Sequence, residues 1–256
     1  MNTEITKRKD LAIEAAKQAG KSLVGNFKKP LKVESKGNRQ LVTNADLEAE
    51  SIIINLIKKA FPEDSILSEE SRHLKPNADF HWVIDPLDGT HNYIHGIDVF
   101  GTSIAVAHKD EVLAGVIYMP LSDELYSAQK GEGTYCNGKK VSVSKRKLEE
   151  STLVYDSSIR YDKKRMLLGL SNLADKVFNV RMFGSTARHL VDIAEGKIDL
   201  NVEFHDKVWD FAAGLLLVEE AGGSSTDFQG NKWSLKTKGY VASNGIMHKE
   251  VLELLK

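Results

Sequence analysis

The stretch WVIDPLDGTHNY, residues 82–93, sets two carboxylates three positions apart, Asp85 and Asp88, with Pro86 between them and Gly89 directly after. Like charges that close repel each other unless something positive stands with them. Proline biases the residue before it toward extended backbone, so Asp85 is expected to end the strand that begins at Trp82. Pro86 then fixes a turn that Asp88-Gly89 completes, and within it both carboxylates can converge while the Leu87 carbonyl is left free. Two carboxylates and a carbonyl are hard oxygen ligands suited to Mg²⁺ or Mn²⁺. The plain alternative is a solvated Asp-Gly turn after a buried strand. The next residues favour the metal: THNYIHG is expected to start a short helix, with the Gly89 and Thr90 amides free to bind phosphate at its N-terminus. Metal ligands beside a phosphate-sized anion site suggest phosphoryl transfer to water.

Other acids stand where they can join this pair, and each has a plain alternative. Asp46 follows Thr43 at the start of a helix, where the helix dipole alone favours an acid. Glu69 and Glu70 end a short strand and can be a solvated pair. Asp210 opens an apolar helix and can be its N-cap. Ala212, Ala213 and Gly214 let that helix end approach other backbone closely. The histidines offer less. His91 and His95 are spaced to share a helix face, but no HExxH accompanies them and Cys136 is the only cysteine, so zinc is disfavoured. There is no GxSxG elbow and no Walker A sequence.

The elements that must position these groups are legible as a mixture. Leu11, Ala15, Ala19 and Leu23 recur at helical spacing in an amphipathic first helix. KVESKGNRQLV reads as an exposed hairpin or loop around Gly37. TNADLEAESIIINLIKKAFP reads as a helix capped by Thr43 or Asn44, with Leu47, Ile54 and Ile57 in its apolar stripe and Pro62 as its stop. SILSEES and HWVID are short strands. From Phe100 to Val143 the pattern is a meander, with Asn137-Gly138 a strong hairpin signal. The charged segment KRKLEES at 145–151 divides residues 1–146, an N-terminal half with most of the candidate metal ligands, from residues 147–256. In the second half a strand begins at Val154 and RMLLGLSNLAD is a helix. VFNVRMF, KIDLNVEF and YVASNG are strands, STARHLVDIAEG is a helix closed by Gly196, DFAAGLLLVEEAGG is a buried helix and MHKEVLELLK is a final helix. Strands and helices mixed throughout argue for a layered α+β protein.

Composition excludes some classes. The 256 residues carry a formal net charge of −1, so no strong field attracts nucleic acid or an anionic membrane. A single cysteine allows no intrachain disulfide and fits a reducing, cytoplasmic setting. The Ala-rich start carries Glu14, Lys17, Gln18 and Lys21 and is no signal-peptide core, and no apolar run is long enough to span a bilayer.

Taken together, these segments closely resemble the inositol monophosphatase family. WVIDPLDGTHNY resembles its first signature, W-[IV]-[IV]-D-P-[IL]-D-G-T-x-N-[FY], and WDFAAGLLLVEEAGG its second; LVTNAD and LSEES match two further blocks in the same order. The resemblance runs from about Leu41 to Asn244. It implies a layered αβαβα sandwich of the sugar-phosphatase type with mixed sheets, and Mg²⁺-dependent hydrolysis of myo-inositol monophosphate by direct attack of a metal-activated water. By the resemblance, Glu69 and Asp85, with the Leu87 carbonyl, would hold one ion; Asp85, Asp88 and Asp210 a second; and Glu69 would also face a third. Mn²⁺ is a possible substitute and lithium sensitivity is implied. Asp46 and Thr90, with Glu69, would be the catalytic residues. Substrate contacts would come from Asp88, Gly89, Thr90, Ser185, Thr186, Glu203 and Asp210.

Departures from the family pattern bear on the substrate. Thr186 stands where Ala is commoner, Gln40 where many relatives have Asp, and His205 where others often carry Arg. Glu203, seven residues before Asp210, matches the acid that holds sugar hydroxyls; its plain alternative is a solvated strand-end Glu. Fructose-1,6-bisphosphate and histidinol phosphate remain alternative substrates. 3′-Phosphoadenosine 5′-phosphate is disfavoured, because His91-Asn92-Tyr93 replaces the nucleotidases' Lys-Glu-Phe. A small phosphorylated polyol or sugar as substrate, a homodimer, and no membrane or nucleic-acid partner are the expectations. A regulatory binding protein is the alternative of another class, since some bacterial relatives assist transcription by binding its machinery.

Overall fold

A computed structural model describes residues 1–37 and 40–256 of the chain. Helix α1 (Asn2–Asn26) buries Ile5, Leu23 and a stripe of alanines. Strands β1 (Val33–Gly37) and β2 (Gln40–Thr43) pair antiparallel. They flank the expected hairpin, whose Asn38 and Arg39 lie outside the described residues. Helix α2 (Asn44–Ala60) is capped by the Thr43 side chain, which accepts from the Ala45 and Asp46 amides, and it ends before Pro62. Leu47, expected in the apolar stripe of α2, is 51% exposed. It lies about 200° around the helix from Ala45, just past the buried arc that runs to Ile54.

The next segment supplies β3 (Ser65–Ser68), β4 (Arg72–His73), β5 (Phe80–Asp88), the short helix α3 (Thr90–Ile94), β6 (Gly101–His108), β7 (Glu111–Met119), β8 (Glu124–Gln129), β9 (Gly133–Cys136) and β10 (Lys139–Lys140). They form one sheet in the order β10-β9-β8-β7-β6-β5-β3-β4. It is antiparallel apart from the β3/β5 pair. Asn137 and Gly138 turn β9 into β10 with positive φ at both positions, 48° and 77°, as a two-residue hairpin requires.

The rest of the chain supplies β11 (Thr152–Tyr155), α4 (Lys163–Ala174), β12 (Asn179–Arg181), α5 (Thr186–Ala194), β13 (Leu200–Glu203), α6 (Val208–Glu220), β14 (Ser224–Thr226), β15 (Tyr240–Ser243) and α7 (His248–Leu254). A second sheet runs β12-β11-β13-β15-β14. It is parallel among β12, β11 and β13 and antiparallel from β13 onward.

The helices sort into layers by their buried faces. The alanines of α1 and Ile53 and Ile57 of α2 pack with Trp82, Ile84, Ile104 and Val116 on one face of the large sheet. Leu190 of α5 and Phe211 and Leu215 of α6 pack with Val83, Ala105 and Ile117 on the other face, and with Tyr240 and Ala242 of the small sheet. Met166 and Leu173 of α4 and Val251 of α7 cover the far side of the small sheet with Leu153, Leu200 and Val241. The result is the αβαβα sandwich with mixed sheets.

The alternation along β5 has a consequence for the site. Trp82 and Ile84 face α1 and α2, so Val83 and Asp85 face the layer of α5 and α6. Helix α6 sits very close to β7: a Cβ on Gly115 would meet the Ala213 carbonyl oxygen at 2.7 Å. Gly115→Ala is therefore expected to destabilise the protein by about 1–3 kcal/mol through overpacking. Denaturant unfolding reads this, and an unchanged midpoint would refute the tight seating of α6.

Candidate active site

The proline predicts that strand β5 stops at Asp85; instead the strand continues to Asp88. Asp85 pairs with Ser103 and Asp88 with Gly101, so β5 carries one extra residue between them. Pro86 has no amide to give the ladder, and a bulge is where a strand tolerates that loss. The bulge turns both acids toward one region. Asp85 is 2% exposed, and its Oδ1 accepts from the Leu87 amide at 3.0 Å. Burial first, then the charges of Glu69, Asp88, Asp210 and Asp46, push its carboxyl well above the usual range. Gly89 comes next with φ 85°, where a Cβ would stand 2.8 Å from the Val99 carbonyl oxygen, and α3 starts at Thr90. The first amides of a helix have no partner within it.

Thr90 Oγ1 lies 3.0 Å from the Leu87 carbonyl oxygen and 3.1 Å from Asp46 Oδ1. The Leu87 carbonyl, expected free, thus already has a donor beside it. A hydroxyl has one proton, so Thr90 donates to one of the two at a time. Asp46 is fully buried at the third position of α2; its Oδ2 accepts from the Thr43 amide at 2.9 Å and hydroxyl at 2.5 Å. Burial raises its pKa, against the pull of the Thr43 and Thr90 hydrogen bonds. Glu69 comes directly after β3 and shares the Lys36 ammonium with Glu70, each at 2.7 Å.

The second half brings the remaining groups. Asp210, expected as a possible N-cap, is the third residue of α6, and its Oδ2 accepts from the Lys207 amide at 2.6 Å. Burial, then the charge of Asp206, raises its carboxyl well above the usual range. Asp88 reaches across to α5, accepting from the Thr186 and Ala187 amides at 3.1 Å each and from the Ser185 hydroxyl. Burial lifts it to about 6 against those donors. Glu203 is 3% exposed, so the solvated alternative fails. Asn92, to which the sequence assigns no role, donates to the Phe183 carbonyl at 2.7 Å and the Val99 carbonyl at 2.9 Å. It ties the Gly89 turn to the Phe183-Gly184 loop of the second half.

A cavity of about 260 Å³ opens over these groups. Glu69, Asp88, Gly89, Thr90, Ser185, Thr186, Glu203 and Asp210 all line it, as does Gln40. Asp156, Ser157, Ser158, His189 and Asp206 line it too, and none of them is expected from the sequence. Asp156-Ser157-Ser158 comes after a strand just as Glu69-Glu70-Ser71 does, which is the one signal the sequence offers for it. His205 does not line this cavity; its ring packs near Tyr161 and Phe204.

The donor set fits a divalent metal. Asp85 and Asp210 are acids crowded by acids, and among the described residues neither has an ion-pair partner. Hard oxygen donors with uncompensated charge suit Mg²⁺. Among the described residues no three His, Cys, Asp or Glu side chains are already grouped to hold an ion. Lys36, 2.7 Å from Glu69 Oε1, would compete with an ion for that oxygen. The raised carboxyls make a prediction with a definite sign. They stay protonated in the folded chain above the ordinary 3.8 of the unfolded one, so the metal-free fold loses stability as pH rises through the raised values, about 6 for Asp88. Mg²⁺ is expected to raise the melting temperature by several degrees at pH 8 and far less at pH 5. Equal shifts at both pH values, read by thermal unfolding with chelator and with Mg²⁺, would refute it.

This fold and site define a phosphatase of the layered sugar-phosphatase type. The chain belongs to the inositol monophosphatase family, whose profile matches residues 4–256. It is 37% identical over 250 residues to the Nus factor SuhB of Escherichia coli (strain K12), covering 95% of this chain and 93% of that one. It is 34% identical to the fructose-1,6-bisphosphatase/inositol-1-monophosphatase of Thermotoga maritima, covering 97% of this chain and 95% of that one. The crystal structure of the extragenic suppressor protein suhB from Bartonella henselae superposes with a TM-score of 0.93 at 36% identity, covering 96% of this chain and 97% of that one. As a member of the family the chain is a metal-dependent phosphatase. No helix among the described residues is long and apolar enough to cross a membrane.

Proposed function

We propose that the chain is a Mg²⁺-dependent phosphomonoesterase acting on small phosphorylated polyols, myo-inositol monophosphate first among them, and working in the cytoplasm as a homodimer. One observation carries this reading: Asp85 is buried among Glu69, Asp88, Asp210 and Asp46, next to a turn whose Thr90 hydroxyl meets Asp46. Glu69, Asp85, the Leu87 carbonyl, Asp88 and Asp210 are the groups that would hold two to three Mg²⁺ ions, or Mn²⁺, whose chemistry is to acidify water and to neutralise phosphate charge. The Gly89 and Thr90 amides orient the phosphate oxygens. Thr90 and Asp46 form a proton path: Thr90 donates to Asp46, which leaves the Thr90 lone pairs to accept from the attacking water. Ser185, Thr186 and Glu203 border the place left for the alcohol.

The test is phosphate release from inositol 1-phosphate, fructose 1,6-bisphosphate, histidinol phosphate and 3′-phosphoadenosine 5′-phosphate, with and without Mg²⁺ and then with Li⁺. Mg²⁺-dependent, Li⁺-suppressed release supports the reading, and the fastest ester names the substrate. No release from any of them would overturn it. The name of the Escherichia coli relative, a Nus factor, supports a second reading as a regulatory binding protein. A stable RNA polymerase partner in a pull-down from cell extract would favour it.

A further inference from the structure

Away from the Asp85–Asp88 bulge, the cavity wall is built mainly of groups that accept hydrogen bonds. Glu203 ends β13; its Oε1 accepts from the Asn201 side-chain Nδ2 at 3.0 Å and stands 3.1 Å from His189 Nδ1. Asp206, between β13 and α6, accepts on Oδ2 from the Thr186 hydroxyl at 3.1 Å and the Tyr240 hydroxyl at 2.8 Å. Asp156, after β11, places one oxygen on the Ser158 amide at 2.6 Å and the other on the Phe204 amide at 3.1 Å. Three carboxylates therefore border one end of the cavity, each held in place by neutral donors that leave its charge uncompensated.

A second observation is an unpaired acceptor beside these carboxylates. His189 is 3% exposed and lines the same cavity, its Nδ1 is engaged by Glu203, and its Nε2 has no hydrogen-bond partner. A neutral imidazole that donates from Nδ1 presents a lone pair at Nε2. A buried polar atom left unpaired is costly. Among the described residues no Lys or Arg lines the cavity. No protein cation among them therefore stands beside Asp156, Glu203 and Asp206, and the groups proposed above to hold Mg²⁺ lie toward Glu69, Asp88 and Asp210.

We propose that this wall selects the leaving group: the preferred substrates are phosphomonoesters whose alcohol carries a protonated amine, seated on Asp206 and Glu203, and esters with a second phosphate are rejected. The proposal rests on the phosphomonoesterase reading above. An ammonium brings three donors and a charge to a site of acceptors, and charge-assisted bonds are about twice as strong as neutral ones. A second phosphate at the same place would meet three carboxylates and no donor cation. Asp206 is the critical acid. It lies four residues before Asp210, and Thr186, where the family's commoner residue is Ala, orients it together with Tyr240.

The experiment compares matched esters that differ in one group: 2-aminoethyl phosphate against 2-hydroxyethyl phosphate, and glucosamine 6-phosphate against glucose 6-phosphate. In the Mg²⁺-loaded wild type, kcat/KM is expected to favour the amine about tenfold or more in at least one pair. The ratio is expected to collapse toward unity in Asp206→Asn and to shrink in Thr186→Val, which keeps the carboxylate but removes one of the two hydroxyls that orient it. Equal handling of both members by the wild type, or a ratio unchanged in both variants, would overturn the proposal. Calorimetric binding of the same pairs separates this proposal from the reading beneath it. An amine preference in binding without phosphate release keeps the selective wall and sinks the phosphatase. Phosphate release without a preference does the reverse.

Discussion

Asp85→Asn is expected to lower kcat by about 10²–10³-fold or more while leaving the fold intact. The loss comes from position. Asp85 is the buried acid that feels the charges of Glu69, Asp88, Asp210 and Asp46 together. Outer-shell partners of metal ligands already cost about 10–100-fold when changed, so a direct ligand should cost more. The fold should survive because asparagine is isosteric and its Oδ1 can still accept from the Leu87 amide, the bond that shapes the bulge. Without metal the variant should be at least as stable as the wild type at pH 8, since one buried charge among four others is gone. Turnover is measured with saturating Mg²⁺, and thermal unfolding is measured with chelator. Undiminished turnover would remove Asp85 from the metal site. Lost turnover with a lowered melting temperature would show a structural role instead.

The groups that are legible in the sequence are those whose meeting is local in the chain. Asp85, Asp88 and Gly89 lie within one bulge, and Thr43 and Asp46 within one helical turn, so spacing alone carries most of their geometry. The family resemblance then supplies Glu69, Asp210 and Glu203, and all three line the cavity. Spacing misleads where the neighbours are distant. Pro86 reads as a strand stop, yet β5 runs through it because β6 tolerates one unpaired residue. Leu47 has the right chemistry for the core but sits just outside the arc that α2 buries. His189, Asp206 and Asp156 stay illegible because only the stacking of α5, α6 and the small sheet brings them together. In sequence, Asp206 is one more acid in a loop before a helix, and His189 one more residue on an apolar face.

Asp46→Asn is expected to reduce kcat by about 10²–10⁴-fold, the range that a positioned general base supplies. KM and the Mg²⁺ concentration for half-maximal activity should move little, because Asp46 faces Thr90 and Thr43 rather than the centre of the acid cluster. Burial raises the Asp46 carboxyl above its ordinary value, which suits a base that must take a proton near neutral pH. The substitution also disturbs the start of α2, since asparagine has one acceptor oxygen where Asp46 uses two. A weakened cap costs about 1 kcal/mol, so a small fall in stability is expected alongside a large fall in rate. Thr90 variants separate the two effects. Thr90→Val keeps the shape but breaks the path between the water and Asp46, and should be nearly as slow as Asp46→Asn. Thr90→Ser keeps the hydroxyl and should retain most of the rate. If Asp46→Asn and Thr90→Val act through one proton path, the double variant should be no slower than the slower single variant. Rates that fall multiplicatively would mean that the two residues act separately, with Asp46 serving as a helix cap.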